Sequence, residues 1–179
     1  MKIVIDTSSL LSLVRYYFPF DYNKTLHSYF QNKIENQEII ILDKVYDECS
    51  YTARGIIKES MPYISKKKYQ FNTTELIPSH KFFNQLENQF IRGVIKNKLS
   101  SVEYENYKDE YLNSADAKIL LFAAKYRSDN IIVVTEETFA DNDNKLFKKL
   151  PSICGILDIK VMNLPQYLQS FNNLSFNID

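Results

Sequence analysis

The sequence predicts an α/β fold, a three-layer α/β/α domain built around a central parallel sheet. Two short apolar runs, at residues 2–5 and 131–134, have the length and composition of strands that are buried on both faces. A third apolar run, at residues 38–42, lies between segments whose apolar residues recur at helical spacing. Strands that alternate with helices in this way are typical of a parallel sheet covered by helices.

Helical spacing predicts further helices, most of which begin at a residue able to cap the first turn. They are expected at 23–36, from Asp43, at 79–98 from Ser79, at 100–113 from a Ser100–Glu103 capping box, and from Ser114. Residues 60–78 have no regular pattern and are expected to form a loop. Together with the helices that follow, this loop is expected to be an insertion, at about 60–113, within one domain spanning 1–179. The last elements are expected to be a short helix at 144–150, a strand at 159–162 and a helix from Leu164.

Charge and composition limit the classes of partner. The chain of 179 residues has 22 basic and 22 acidic side chains, so any contact with a polyanion must come from a local patch. No apolar run approaches the roughly 20 residues of a membrane span, and the first residues do not have the pattern of a secretory signal. We therefore expect a cytoplasmic protein without a membrane partner.

Missing motifs exclude several kinds of site. The two cysteines are far apart, the two histidines form no H-E-x-x-H motif, and the three glycines cannot form a phosphate-binding loop. The residues concerned are Cys49, Cys154, His27, His80, Gly55, Gly93 and Gly155. No G-x-S-x-G motif of the serine hydrolases is present either. The abundant groups that remain for chemistry are carboxylates.

Acidic and hydroxyl residues follow both of the clearest strands, at 6–8 and at 135–137. In a parallel sheet these two clusters lie at the same edge, where α/β proteins bind ligands. Asp6 also has a purely structural interpretation, since it can cap the helix that follows, as can Thr7 and Ser8.

Two more acids are expected at this edge: Asp116 at an unusually apolar helix start, and Glu48 one turn into the helix after the second strand. Asp116 could simply favour a helix N-terminus. Asp47 competes with Glu48, and the last position is open among four acids: Glu136, Glu137, Asp141 and Asp143. Like charges gathered in this way need protons or cations, and oxygen ligands of this kind suit Mg²⁺ or Mn²⁺.

Four segments resemble PIN-domain nucleases. The run IVIDTSSLL at 3–11 resembles their first strand with its terminal acid, and VYDEC at 45–49 is similar to their helix with the second acid. The runs SADAKIL at 114–120 and VVTEE at 133–137 resemble their Ala-Asp helix start and the end of their later strand. The run KLPSIC at 149–154 is similar to a less-studied branch of PIN-like bacterial proteins. The resemblance favours Glu48 over Asp47 and makes Glu137 the fourth acid, although many members have Asp there.

The resemblance implies a metal-dependent endoribonuclease, often the toxin of a toxin–antitoxin pair of the VapC type. The ligands of Mg²⁺ or Mn²⁺ would be Asp6, Glu48, Asp116 and Glu137, and the supporting hydroxyls would be Thr7, Ser8 and Thr135. The partners would be an RNA (tRNA, mRNA or rRNA), an antitoxin, and a second copy in a homodimer. The alternatives are a PIN-like scaffold that binds nucleic acid or protein without cleavage, and a nuclease acting on DNA.

Contacts with RNA phosphates need local cations, because the chain has no net charge. We expect them from Lys66, Lys67 and Lys68, which lie next to Tyr69. Other candidate groups are Arg92 with Lys96 and Lys98, and Lys145 with Lys148 and Lys149.

Overall fold

The centre of the molecule is a five-stranded sheet in which every pair of neighbouring strands is parallel. The structure is a computed structural model, and it describes residues 2–139 and 144–171. The strands are β1 (Ile3–Ile5), β2 (Ile39–Leu42), β3 (Gln70–Phe71), β4 (Ile132–Val134) and β5 (Lys160–Met162), in the order β3-β2-β1-β4-β5. Helices cover both faces, which confirms the three-layer α/β/α fold.

The helices occupy the connections between strands, except for the last one, which follows β5. Their bounds are α1 (Thr7–Ser12), α2 (Thr25–Glu35), α3 (Asp43–Cys49), α4 (Ile56–Ser60), α5 (His80–Gln85), α6 (Gly93–Lys96), α7 (Ser101–Leu112), α8 (Ala115–Lys125), α9 (Leu150–Ile156) and α10 (Leu164–Gln169). Side-chain oxygens of Ser79, Ser100 and Ser114 accept hydrogen bonds from the first turns of α5, α7 and α8, as the sequence predicts.

The order of the strands reverses at β1. From β1 the chain continues through β2 to β3 on one side, and later occupies β4 and β5 on the other side. The carboxyl ends of β1 and β4 therefore border a topological switch point, the usual place for a ligand site in such sheets. Both strands are buried over their whole length, so their side chains belong to the core and only the residues beyond their ends can reach a ligand.

The loop expected at residues 60–78 contains the edge strand β3, which pairs with β2. The prediction that this whole region is an insertion beside the sheet is therefore wrong. The strand is held by Asp43, which is the first residue of α3 and not its cap, since Leu42 takes that position. The Asp43 carboxylate accepts hydrogen bonds from the backbone N–H and the hydroxyl of the buried Thr73, at 3.1 and 2.6 Å.

The single long helix expected at 79–98 is interrupted. It continues from α5 through a wide π turn, Leu86–Phe90, and Ile91 then adopts an extended conformation and forms an isolated antiparallel bridge with Phe147. The chain becomes helical again only at Gly93, a residue with low helix propensity.

The short helix expected at 144–150 is also wrong. Residues 144–149 form no helix, and this segment pairs with Ile91 through Phe147. Helix α9 begins at Leu150, and Pro151 lies in its first turn, where the missing N–H of proline costs nothing. Among the helices that the structure describes, none has the length and apolar character needed to cross a membrane.

Candidate carboxylate site

Asp6 lies directly beyond β1 and is only 5% exposed. Its backbone N–H donates to the carbonyl of Val134 at 2.9 Å, which continues the pairing of β1 with β4. Asp6 is the N-cap of α1, a position the sequence also offered to Thr7 and Ser8, and its Oδ1 accepts from the Thr7 N–H at 2.7 Å. The capping interpretation of Asp6 is thus correct, and its second oxygen has a different set of partners.

Two hydroxyl groups hold that second oxygen. Ser8 Oγ and Thr135 Oγ1 donate to Asp6 Oδ2 at 2.6 and 2.9 Å. The same hydroxyls accept hydrogen bonds from the backbone N–H groups of Glu136 and Glu137, at 3.0 and 3.2 Å. The turn after β4 is therefore joined to the residue after β1, and Asp6 has a fixed orientation.

Glu48 is brought to the same edge by α3. Thr7 Oγ1 donates to Glu48 Oε2 at 2.6 Å, although 41 positions separate the two residues. Its rival, Asp47, is exposed on the outer side of α3. Of the two acids, the structure thus places Glu48 beside the residues that follow β1.

Asp116 lies in the first turn of α8 and differs from the other acids. Over residues 2–139 and 144–171, no group donates a hydrogen bond to its carboxylate. Burial, followed by the charges of Asp6, Glu137 and Glu48, raises its pKa to about 8, whereas Lys145 opposes this shift. The four acids selected from the sequence therefore share one electrostatic environment.

The two glutamates after β4 point to different helices. Glu137 Oε2 accepts from the N–H of Leu150, the first residue of α9, at 3.0 Å, and Glu136 Oε1 accepts from Leu164 at the start of α10, at 2.7 Å. Only Glu137 contributes to the field at Asp116. The other two candidates for this position, Asp141 and Asp143, lie outside the described residues.

A cavity of about 490 Å³ opens beside Asp116 and Glu137. Its walls come from α6, α7 and the segment before α9. Besides the two acids, the lining residues include Ile95, Leu99, Tyr107, Glu110, Tyr111, Lys145, Phe147, Lys148 and Lys149. The sequence analysis did not find this cavity, because its walls come from segments distant in the chain.

Tyr111 lines this cavity together with Asp116 and Glu137. Its hydroxyl is buried without a hydrogen-bond partner in the part of the chain that the structure describes. Burial raises the pKa of this hydroxyl, and the charges of Asp116, Cys154 and Glu137 raise it further. The helical spacing of tyrosines in α7 could indicate burial, but no local signal in the sequence relates Tyr111 to the acids.

The predicted lysine cluster at 66–68 lies elsewhere. All three side chains are exposed, and they precede β3, so they lie at the amino-terminal edge of a parallel sheet. The acids lie beyond the carboxyl ends, at the opposite edge. Lys145, Lys148 and Lys149, the third group considered from the sequence, line the cavity next to Asp116.

The donor chemistry at this edge suits a hard cation, because every candidate ligand is a carboxylate or hydroxyl oxygen. Asp116 offers both of its oxygens, and its pKa is raised by burial and then by the negative charges of the nearby acids. However, no three His, Cys, Asp or Glu side chains among the described residues already stand in a metal-binding arrangement. Side-chain adjustment would have to accompany metal binding.

Fold and site together define the class of the protein: a parallel α/β protein with carboxylates gathered at the switch point of its sheet. The chain belongs to the family described as a domain of unknown function (DUF4411), which matches residues 3–174. Searches of curated proteins and of solved structures found no match.

Proposed function

We propose that this protein is a cytoplasmic, Mg²⁺- or Mn²⁺-dependent endoribonuclease that hydrolyses RNA phosphodiester bonds. The observation that supports it best is the buried carboxylate of Asp116, whose pKa is raised by burial and then by the charges of Asp6, Glu137 and Glu48 from separate elements of the fold. Carboxylates without a compensating positive charge destabilise the folded protein, and a bound divalent cation relieves this destabilisation. The resemblance of four segments to PIN-domain nucleases points to the same chemistry.

Asp6, Glu48, Asp116 and Glu137 would hold the metal. Bound divalent ions supply an activated water and stabilise the charge that develops on a phosphate during hydrolysis. The residues of the chain orient the ligands: Ser8 and Thr135 fix Asp6, and Thr7 fixes Glu48. Lys145, on the cavity side of Asp116, is placed to attract the phosphate backbone.

We further propose that the protein is the toxin of a toxin–antitoxin pair, with a tRNA, mRNA or rRNA as substrate. This rests on the resemblance to toxins of the VapC type. Its test is expression in a bacterial host, which should stop growth, together with co-expression of a small protein encoded beside it, which should restore growth. Growth arrest that persists in the Asp116→Asn variant would contradict the proposal, because the arrest would then not depend on the carboxylate site.

The nuclease proposal is tested by cleavage of an end-labelled single-stranded RNA with Mn²⁺, Mg²⁺ or EDTA. Asp116→Asn should lower the rate by at least about 100-fold, because loss of a group that only supports a metal ligand already costs 10–100-fold. Asp47→Asn is the matched control, since it makes the same change at an exposed neighbour of Glu48.

Three results would contradict this proposal: cleavage in EDTA, equal rates for wild type and Asp116→Asn, or no cleavage with either metal. The third result would favour the alternative of a PIN-like scaffold that binds without cleaving. A single-stranded DNA of the same sequence tests the remaining alternative, and preferential cleavage of that strand would make the protein a DNA nuclease.

A further inference from the structure

The cavity beside the acids combines apolar, aromatic and basic walls. Ile95 and Leu99 supply apolar surface from the region of α6, and Tyr107 from α7 is 49% exposed, so its ring is accessible. Behind them, the rings of Tyr111 and Phe147 stack on each other with centroids 4.0 Å apart and planes inclined by 12°. This stack is a flat and firmly packed floor.

The basic wall is formed by Lys145, Lys148 and Lys149. In the described residues, no salt bridge engages any of the three. The backbone that carries them is fixed: Lys148 N–H donates to the carbonyl of Phe90 at 2.8 Å, and Arg92 N–H donates to that of Leu146 at 2.9 Å. The backbone of this basic segment is therefore anchored to the segment that leads into α6.

We propose that this cavity binds one unpaired nucleotide of a single-stranded RNA, next to the phosphate presented to the carboxylates. The base would stack on Tyr107 against the apolar wall of Ile95 and Leu99, and the lysines would contact the phosphates that flank it. This inference rests on the proposed function for the identity of the ligand.

The size and the chemistry of the cavity favour an unpaired nucleotide. A volume of about 490 Å³ lies within the range of small-molecule pockets, which suits one nucleotide and not a double helix. Proteins recognise unpaired bases through aromatic stacking and cationic side chains together, whereas a base inside a duplex is stacked on its neighbours and cannot enter such a pocket. The cavity therefore predicts selection for unpaired RNA.

The test is fluorescence anisotropy with a labelled, unstructured RNA of 12 nucleotides and with the same strand annealed to its complement. Binding is measured in EDTA, so that it does not depend on cleavage, both with the wild type and in an Asp116→Asn background, which removes this acid. Tyr107→Ala should weaken single-strand binding about tenfold, near the lower end of the effect of one base–aromatic stack. Tyr107→Phe should stay within about twofold of the wild type, because it keeps the ring.

Two controls make the measurement specific. Tyr22→Ala removes a tyrosine that is 88% exposed and distant in sequence from the cavity, and it should leave affinity unchanged. Lys149→Ala should reduce the salt dependence of binding, whereas Lys160→Ala should not, because Lys160 begins β5 at the edge of the sheet opposite to the acids.

The outcomes separate this inference from the nuclease proposal. Single-strand binding that depends on Tyr107, in a chain that cleaves nothing, would support the pocket and contradict the enzyme. Equal affinity for single strand and duplex, an unchanged Tyr107→Ala variant, or no binding in either background would overturn the pocket. A peptide from a neighbouring small protein that binds tightly to this cavity, and that no RNA displaces, would also overturn the pocket. This result would assign the cavity to a protein partner.

Discussion

The carboxylate site has two parts, the strand half around Asp6 and the helix half around Asp116. The protein satisfies the charges of these two halves differently. On the strand side, Asp6 accepts three hydrogen bonds, from Thr7, Ser8 and Thr135. On the helix side, Asp116 accepts none from the described residues, and burial together with the neighbouring acids raises its pKa to about 8. The strand half is complete without any ligand, whereas the helix half is left with a charge that only a proton or a cation can compensate.

Because of this difference, we expect the strand half to contribute to the stability of the fold and the helix half to determine the affinity for cations. Replacing an acid of the strand half removes hydrogen bonds that the fold uses, so stability should fall. Replacing Asp116 removes repulsion, so the metal-free protein should gain stability while it loses affinity for cations. The following experiments test this contrast.

Asp6→Ala should lower the free energy of unfolding by about 2–4 kcal/mol, the largest effect expected here. It removes an N-cap, worth about 0.5–2 kcal/mol, and leaves the Ser8 and Thr135 hydroxyls without their acceptor, at about 1–3 kcal/mol. Urea unfolding at pH 5 measures this, since Asp116 is then protonated and repulsion contributes little. Asp47→Ala, at an exposed position, should stay within about 0.5 kcal/mol. Equal stabilities of the two variants would contradict the strand half as described.

Mn²⁺ should raise the melting temperature of the wild type by about 5–10 °C at a concentration 100 times its Kd. Such saturation contributes about 2.7 kcal/mol, and one kcal/mol shifts Tm by about 2–4 °C in a chain of this size. Asp116→Asn should lose most of the shift, and Asp47→Asn should retain it. Differential scanning fluorimetry is sufficient, and a shift of the same size in Asp116→Asn would show that the metal binds elsewhere.

Asp116→Asn should change how stability depends on pH in the absence of metal. The folded-state pKa of Asp116, about 8, exceeds its unfolded value of about 3.9, so its stabilising contribution is complete below pH 4 and disappears as pH rises to 8. The wild type should therefore lose at least about 1.4 kcal/mol relative to the variant between pH 5 and pH 8, the equivalent of one pKa unit. Urea unfolding in EDTA at both pH values measures this. If the stabilities of the wild type and the variant depended on pH in the same way, the inference that the charge of Asp116 is uncompensated would be contradicted.

Thr7→Val should have the smallest effect, a loss of about 0.5–1 kcal/mol, because it deletes one hydrogen bond to a half-buried carboxylate. Its informative consequence concerns metal affinity, which should fall about 10–100-fold as Glu48 loses its orientation. Thr74→Val changes an exposed threonine that is distant in sequence from the four acids and serves as the control. Unchanged Mn²⁺ affinity in Thr7→Val would exclude Glu48 as an oriented ligand.

The parts of the fold that sequence reasoning predicted correctly have strong local signals. The strands β1 and β4 are continuous apolar runs, and the acids and hydroxyls follow them within three residues, so a parallel sheet brings them together by topology alone. Glu48 and Asp116 were recognisable because each lies near a helix start. The electrostatic interaction between these two acids, however, depends on their burial in the folded protein, which no local sequence pattern indicates.

The errors arose where short or distant pairings decide the structure. β3 has only two residues, Gln70 and Phe71, which is too short for an alternating pattern to be visible. Missing this strand also misplaced the lysines at 66–68, because in a parallel sheet a strand determines at which edge the residues before it lie. The interruption at Ile91 has the same origin, since its partner Phe147 is more than 50 positions away.

That bridge between Ile91 and Phe147 has a consequence for how the family can diversify. It attaches the segment before α9, which forms one wall of the cavity, to the segment that leads into α6, and it does not involve the residues after β1 and β4. Mutations in α6, α7 or the segment before α9 can thus reshape what the cavity admits while the acids keep their positions. The acids and most of the cavity wall are in this way encoded in separate stretches of the chain, each free to change at its own rate.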